Sequence, residues 1–295
     1  MKEQPTKTQK DKSKVTKEEW REYTKTVWHI ANTSDPNHPA VFPVEIPRRL
    51  IKLFSFYGET VLDPFGGTGT TAIAAIDLGR RCICIEQNPD YACIIRDRCH
   101  DLLNGKEHAQ VILGDSRNME LLAENSVGLV ITSPPYWNKA DYGKGSENIG
   151  NEPVYPRFFD KIRPVFEECF RVLKPGRKLC LVTANVNQHT EHGLLTFPLA
   201  ADFINLLRDI GFVLINEIVW SKDGTGGKWG SYGKQRPIFG SYPYPPNFLF
   251  KNVHEYIVIV AKPPENKANG KTVIAYEYLI GRSKQPKPKN RRKGR

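Results

Sequence analysis

Residues 127–137 set an apolar run, Val127, Leu129, Val130 and Ile131, directly ahead of Thr132-Ser133-Pro134-Pro135-Tyr136-Trp137. A run of that kind fills a buried strand, and here it stops at a hydroxyl, two prolines and two aromatic rings. Pro134 and Pro135 lack backbone donors and fix φ, so nearby carbonyls are left to point outward at a ligand. Tyr136 and Trp137 offer flat faces at the same place. A planar ring bearing an amine fits such a set of acceptors and rings. A Pro-rich strand exit with its aromatics turned into the core reads the same residues equally well.

A second constellation lies upstream. Residues 60–71, Thr-Val-Leu-Asp-Pro-Phe-Gly-Gly-Thr-Gly-Thr-Thr, run from an apolar strand into a Gly-rich turn that opens a helix over Ala72–Ile76. Glycines at such a turn let the backbone approach a ligand closely, and the helix start presents unpaired N–H groups. Alone, a glycine loop is shared by dinucleotide folds and by inert turns. Glu86 follows Gly69 by 17 positions, near the spacing of about 20 at which an acidic residue accepts from ribose hydroxyls. The competing reading of Glu86 is a capping carboxylate ahead of Pro89.

Together these segments resemble the amino-methyltransferases of DNA. Phe65, Gly67 and Gly69 match that family's Phe-x-Gly-x-Gly cofactor loop in its longer Asp-Pro-Phe form, which adds Asp63 and Thr70 to the candidate binding residues. Ser133-Pro134-Pro135-Tyr136 match its catalytic motif. His38-Pro39-Ala40-Val41-Phe42-Pro43 is similar to the segment preceding its cofactor loop, and Trp220-Ser221-Lys222 and Glu255 to Lys262 are similar to its late strands, so the resemblance spans roughly 26–263.

The resemblance implies S-adenosylmethionine as cofactor, with Glu86 on the ribose and Asp115 and Ser116 at the adenine. An ordinary helix cap is the plainer reading of Asp115-Ser116. It implies no covalent intermediate: Ser133 Oγ and the Pro134 carbonyl would take the two protons of an exocyclic amine, free its lone pair and leave Tyr136 to stack on a flipped base. Serine at the first motif position points to cytosine N4, with adenine N6 as the alternative. No cysteine follows a proline, which counts against carbon-5 methylation. The cofactor loop precedes Ser-Pro-Pro-Tyr although the Asp-Pro-Phe form is more usual with the reverse order, so the chain resembles a circularly permuted relative.

Two rival classes share part of this pattern. A nicotinamide-dependent dehydrogenase would use the glycine loop and Glu86 but leaves Ser-Pro-Pro-Tyr unexplained. A basic DNA-binding module with a degenerate cofactor site would not need Phe65, Gly67, Gly69, Glu86 and Ser133 together.

The elements that must position these residues alternate strand and helix, as in a parallel sheet covered on both faces. Strands are expected at 60–65, 81–86, 110–114, 127–132 and 178–183, and helices at 70–78, 89–103, 157–173 and 198–210. The breaker Lys174-Pro175-Gly176 follows the third helix. Strands 212–220 and 256–261 would pair antiparallel. The expected fold is therefore an α/β Rossmann-like methyltransferase sheet, mostly parallel with an antiparallel edge strand.

Two excursions interrupt the alternation, 138–156 and 223–250, both long enough to expect a function. The second interleaves Lys228, Trp229, Tyr232, Lys234 and Arg236, the mixture a nucleic-acid surface requires. A self-packed surface loop is the alternative. The expected organisation is a basic disordered tail at 1–19, a catalytic domain at 20–281 with these two recognition loops, and a second basic disordered tail at 282–295.

Composition is compatible with that assignment. The net charge of +11 favours a polyanion such as double-stranded DNA, since Lys and Arg that neutralise phosphates release counterions. No apolar run approaches the ~18 residues of a membrane span, and the Lys-rich start lacks a signal core, so a cytoplasmic chain is expected. Six cysteines form no Cys-x-x-Cys pair, which favours core thiols and no metal. A cognate restriction endonuclease is a candidate partner, and a monomer or homodimer the expected state.

Overall fold

The computed structural model describes residues 4–33, 41–103, 109–137, 148–222, 244–246, 250, 252–264, 267–268 and 271–272. In chain order its elements are α1 (Lys7–Lys12), α2 (Lys17–Tyr23), β1 (Val27–His29), α3 (Glu45–Phe54), β2 (Thr60–Asp63), α4 (Thr70–Asp77), β3 (Arg81–Glu86), α5 (Pro89–Leu103), β4 (Ala109–Leu113), β5 (Val127–Thr132), a short 3-10 turn at Ile149–Asn151, α6 (Tyr155–Val172), β6 (Leu173–Thr183), β7 (Val186–Thr190), β8 (Gly193–Phe197), α7 (Leu199–Ile210), β9 (Val213–Ser221), β10 (His254–Ala261) and the two-residue strands β11 (Lys267–Ala268) and β12 (Lys271–Thr272).

Eight strands form one sheet in the order β1-β9-β10-β6-β5-β2-β3-β4. All neighbours are parallel except β10, which runs antiparallel to both β6 and β9. The expected antiparallel pairing of β9 with β10 is present, and the short β1 lies outside it, hydrogen-bonded in parallel to β9.

Every residue of β5 is buried, as a strand covered on both faces requires. Side-chain alternation sends Val130 into one core layer and Leu129 and Ile131 into the other. Phe158, Ile162, Val165, Phe166 and Cys169 line the inner face of α6 and pack with Leu199, Phe203 and Leu207 of α7 on the first side. Ile46, Leu50 and Ile51 of α3, Ala72 and Ala75 of α4 and Ile95 of α5 cover the second. These i, i+3, i+4 spacings are what an amphipathic helix presents to a sheet.

The order of strands places a topological switch between β2 and β5: from β2 the chain steps outward to β3 and β4, then returns to β5 on the other side. Open α/β sheets bind ligands beyond the carboxyl ends of the strands at such a point. The glycine loop follows β2, and Ser-Pro-Pro-Tyr follows β5.

Three expectations need correction. The start of the chain, read as a disordered tail over 1–19, holds α1 and part of α2. Each helix has a reciprocal capping box, Thr6 with Gln9 and Thr16 with Glu19, a signal that composition hid. The segment is also tied to the body: Gln9 Nε2 donates to the Tyr57 carbonyl at 3.2 Å, the Tyr57 N–H donates to Ser13 Oγ at 2.7 Å, and Lys52 pairs with Glu19. Second, α6 passes directly into β6, and Lys174-Pro175-Gly176 lies inside that long strand. The Gly176 N–H donates to the Lys262 carbonyl at 2.8 Å and Gly176 takes φ 82°, so the breaker turns within the strand, where the register against β5 shifts between Val127 and Leu129. Third, β7 and β8 form an antiparallel hairpin that was not anticipated, because most of its side chains are half-buried or exposed and carry no strong apolar alternation.

Among the described residues no helix is long and apolar enough to cross a membrane. The six cysteines are free and five are buried. No group of three or more His, Cys, Asp and Glu that could hold a metal occurs among the described residues.

Candidate active site

A cleft of about 410 Å³ opens at the switch point, lined from the glycine loop, the ends of β3 and β4, and the segment after β5. Its volume falls in the usual range for small-molecule sites. Asp63, Phe65, Gly67, Thr70, Glu86, Asp115, Ser116, Ser133, Pro134, Pro135 and Tyr136 all line it, so residues drawn from four strand ends converge. Gly69 stands just outside this lining as the N-cap of α4. His38 and Pro39 lie outside the described residues, although Val41 and Phe42 of the same segment line the cleft.

The glycine loop is held by Glu86. Its Oε2 accepts from the Gly67 N–H at 2.7 Å and its Oε1 from the Asn88 N–H at 2.8 Å. Burial pushes the Glu86 carboxyl up, and the backbone N–H bonds work against that. A carboxylate has about four lone-pair positions, so both oxygens retain capacity for hydroxyl donors. Gly67 takes φ 51°, a left-handed value that a branched side chain resists. Gly66 was not singled out in the sequence: a Cβ there would stand 3.0 Å from Ile95 Cδ1 and 3.2 Å from Cys84 Cβ, so a larger residue would press the loop against α5 and β3.

Asp63 joins the two motifs from beneath. Its Oδ1 accepts from the Phe65 N–H at 3.1 Å and from Thr132 Oγ1 at 3.0 Å, and its Oδ2 from Thr71 Oγ1 at 2.6 Å. The glycine loop, the first turn of α4 and the end of β5 thus share one buried carboxyl. Burial lifts its pKa from 3.8 to about 7, against the pull of those three donors. In the unfolded chain the group ionises near its ordinary value, so between the two values the folded state binds more protons. Stability should therefore fall as pH rises from about 4 to about 7, by at most ~1.4 kcal/mol per unit from this one group, and level off above. Urea unfolding of Asp63→Asn across that window should show a shallower slope than the parent; equal slopes would clear Asp63 of the effect.

Asp115 and Ser116 follow β4. Burial would raise the Asp115 carboxyl, but Arg117 outweighs it and holds it below its ordinary value, donating from its backbone N–H at 2.9 Å and from Nε at 2.8 Å. Ser116 is buried and its hydroxyl donates to the Pro64 carbonyl, pinning β4 to the loop after β2. Arg117 carried no motif signal, because only the turn brings its guanidinium back onto Asp115.

In the Ser-Pro-Pro-Tyr segment Ser133 and Pro135 are half-buried and Pro134 and Tyr136 buried. The expectation that Trp137 offers a face beside Tyr136 is not met. Trp137 turns into the core, its Nε1 donating to the Glu152 carbonyl at 2.7 Å and its ring packing on Tyr155 and Phe197 at centroid distances of 4.9 and 4.6 Å. An indole buried with its N–H satisfied anchors the loop and leaves Tyr136, of the two rings, lining the cleft. Of the excursion after it, 138–147 lies outside the described residues, and Asn148 and Ile149 line the cleft.

A model of the N6_N4 DNA methylase family matches residues 1–97 and 127–294. The chain belongs to this family. Among curated relatives it is 45% identical over 83 residues to the Type II methyltransferase M.BglI of Bacillus subtilis, covering 28% of this chain and 24% of that protein. It is 45% identical over 92 residues to the Type II methyltransferase M.MjaI of Methanocaldococcus jannaschii, covering 29% and 30%. The chain thus spans under a third of the length of these two relatives. Among solved structures, a SAM-dependent methyltransferase from Methanosarcina mazei overlaps with TM-score 0.48 at 13% identity, over 73% of this chain and 98% of that one.

The glycine loop and the Ser-Pro-Pro-Tyr segment supply two walls of the cleft. Residues with no earlier signal complete it: Gln87, Asn88, Asp90 and Tyr91 at the start of α5, and Gly114 after β4. Lys228, Trp229, Tyr232, Lys234 and Arg236 of the second excursion lie outside the described residues. The ends of that excursion are described: the Lys222 N–H donates to the Val253 carbonyl at 2.8 Å, joining them beyond β9 and β10, at the end of the sheet that carries the cleft.

Proposed function

We propose that this chain is an S-adenosylmethionine-dependent DNA methyltransferase that methylates the exocyclic N4 amine of cytosine at specific sites in duplex DNA after base flipping. The observation that carries this reading is the convergence of the glycine loop with Glu86 and of Ser133-Pro134-Pro135-Tyr136 on one cleft at the sheet's switch point.

The residues present suit the cofactor. Gly67 has no side chain to keep a ligand off the loop backbone, Glu86 offers acceptors for ribose hydroxyls, and Phe42, Ile85 and Pro89 give the cleft apolar surface for an adenine ring. S-adenosylmethionine, when bound, supplies an electrophilic methyl group on a sulfonium. Ser133 Oγ and the Pro134 carbonyl accept from the two amine protons of the target base, drawing its nitrogen from planarity and freeing the lone pair. Tyr136 packs against the base face, replacing the stacking lost on flipping. The reaction then needs positioning rather than a covalent enzyme intermediate.

Serine at position 133 supports cytosine over adenine through the family resemblance. The circularly permuted motif order belongs to the same reading, through the resemblance of the Asp-Pro-Phe loop to family members with the reverse order. A cognate restriction endonuclease and a monomeric or homodimeric state belong to the same reading. Methylome sequencing of plasmid DNA from cells expressing the chain tests it: N4-methylcytosine at one motif is expected. N6-methyladenine would move the specificity to the other base, and unmodified DNA would overturn the activity.

The second excursion carries target recognition in this reading. Replacing Lys228, Lys234 and Arg236 with alanine should weaken DNA binding and flatten its salt dependence by a log–log slope of about 0.9 per lost phosphate contact. S-adenosylmethionine affinity should be spared. A triple variant with parental salt dependence in a filter-binding titration would place the phosphate contacts elsewhere.

A further inference from the structure

We propose that Glu255 is a positioning residue for Tyr136, clamped between that tyrosine and Lys222. The inference rests on the base-stacking reading of Tyr136 given above. Tyr136 Oη donates to Glu255 Oε2 at 2.8 Å, and Lys222 Nζ donates to Glu255 Oε1 at 2.5 Å. The three residues are 119 and 33 positions apart in sequence. Only the antiparallel course of β10 brings them together, since it starts where the parallel strands end.

The pair is not a surface ion pair. The Lys222 and Glu255 side chains are 12% and 15% exposed, and Lys222 Nζ sits 4.5 Å from the Trp220 ring centroid. In register Glu255 faces Trp220 across β9 and β10, while the Lys222 N–H closes the neck of the excursion onto Val253. Desolvating a carboxylate and an ammonium carries a cost that their mutual attraction roughly offsets, so such a pair is a poor device for stability alone. What it supplies is direction. A charge-assisted bond to the phenol is shorter and stronger than a neutral one, and anchoring the hydroxyl at the far end of the ring prevents the ring from swinging about χ1. The face of Tyr136 toward the cleft is then set before a base arrives, and no ordering of that side chain is left for the binding step.

Glu255 touches neither base nor cofactor in this scheme, so its effect must pass through the tyrosine hydroxyl. The test is a cycle of Tyr136→Phe, Glu255→Ala and the double variant, with Glu255→Gln added because its amide oxygen still accepts from the phenol. Each full-length protein is assayed for single-turnover methyl transfer to a duplex carrying the methylated motif, for the emission of 2-aminopurine placed at the target base, and for S-adenosylmethionine affinity by calorimetry. Glu255→Ala should slow transfer about tenfold or more, the scale of losing a hydrogen bond to a charged group, and lower the 2-aminopurine signal, with cofactor affinity unchanged. Glu255→Gln should recover most of the rate, and Glu255→Ala should add less than about twofold on top of Tyr136→Phe. Multiplicative losses in the double variant, or a loss confined to cofactor affinity, would overturn the positioning role while leaving the methyltransferase reading intact. A parental chain that transfers no methyl group would overturn both.

Discussion

Ser133→Ala is expected to lower methyl transfer about a hundredfold at saturating S-adenosylmethionine, the scale for removing one positioned hydrogen-bonding group at a reacting centre. The loss should fall on turnover and leave cofactor affinity alone, because in the proposed mechanism the hydroxyl meets the amine as the nitrogen leaves planarity, while Glu86 and the glycine loop are proposed to hold the cofactor from the other wall of the cleft. The alanine variant keeps the backbone that the two prolines define, so its fold should be unchanged by circular dichroism and thermal melting. Single-turnover transfer with saturating cofactor decides the matter, and a parental rate would remove Ser133 from the chemistry.

Glu86→Ala and Gly67→Val should fail in the opposite way. Glu86 carries two roles at once: it accepts from the Gly67 and Asn88 N–H groups and is proposed to accept from ribose hydroxyls. Removing it should weaken S-adenosylmethionine binding by about 10- to 150-fold, the equivalent of ~1.5–3 kcal/mol for a charged acceptor. Gly67→Val should lose at least as much, since its φ of 51° is costly for a β-branched residue and the residue lines the cleft. Titration calorimetry on folded protein is the measurement. Unchanged affinity in Glu86→Ala would separate that carboxylate from the cofactor and leave it as a brace for the loop.

The contrast between these outcomes follows from the architecture. Of the four strand ends at the cleft, those of β2 and β5 are joined underneath by Asp63 through Thr71, Phe65 and Thr132. A change on one wall should leave the other's ligand in place, whereas a change at Asp63 should disturb the spacing between them. That carboxyl belongs to the glycine-loop motif in sequence, yet its partners show it acting on both motifs.

Sequence alone determined the α/β alternation, the two motifs and the identity of the cleft residues that carry them, because these depend on local signals: apolar runs of strand length, a glycine turn opening a helix, and a proline pair after a buried strand. The kind of chemistry expected came from the resemblance of those two motifs to the amino-methyltransferases of DNA, the family to which the chain belongs. Tertiary structure decided which neighbours those residues keep. Trp137 belongs to the core because Tyr155 and Phe197 converge on it, and the bond from Tyr136 to Glu255 requires an antiparallel strand to return to the cleft. The start of the chain was misjudged for a related reason. Its charge suggested solvent, but two capping boxes and the docking of Gln9, Ser13 and Glu19 on Tyr57 and Lys52 hold it as helix, and long-range contacts of that kind leave no periodic trace in a sequence.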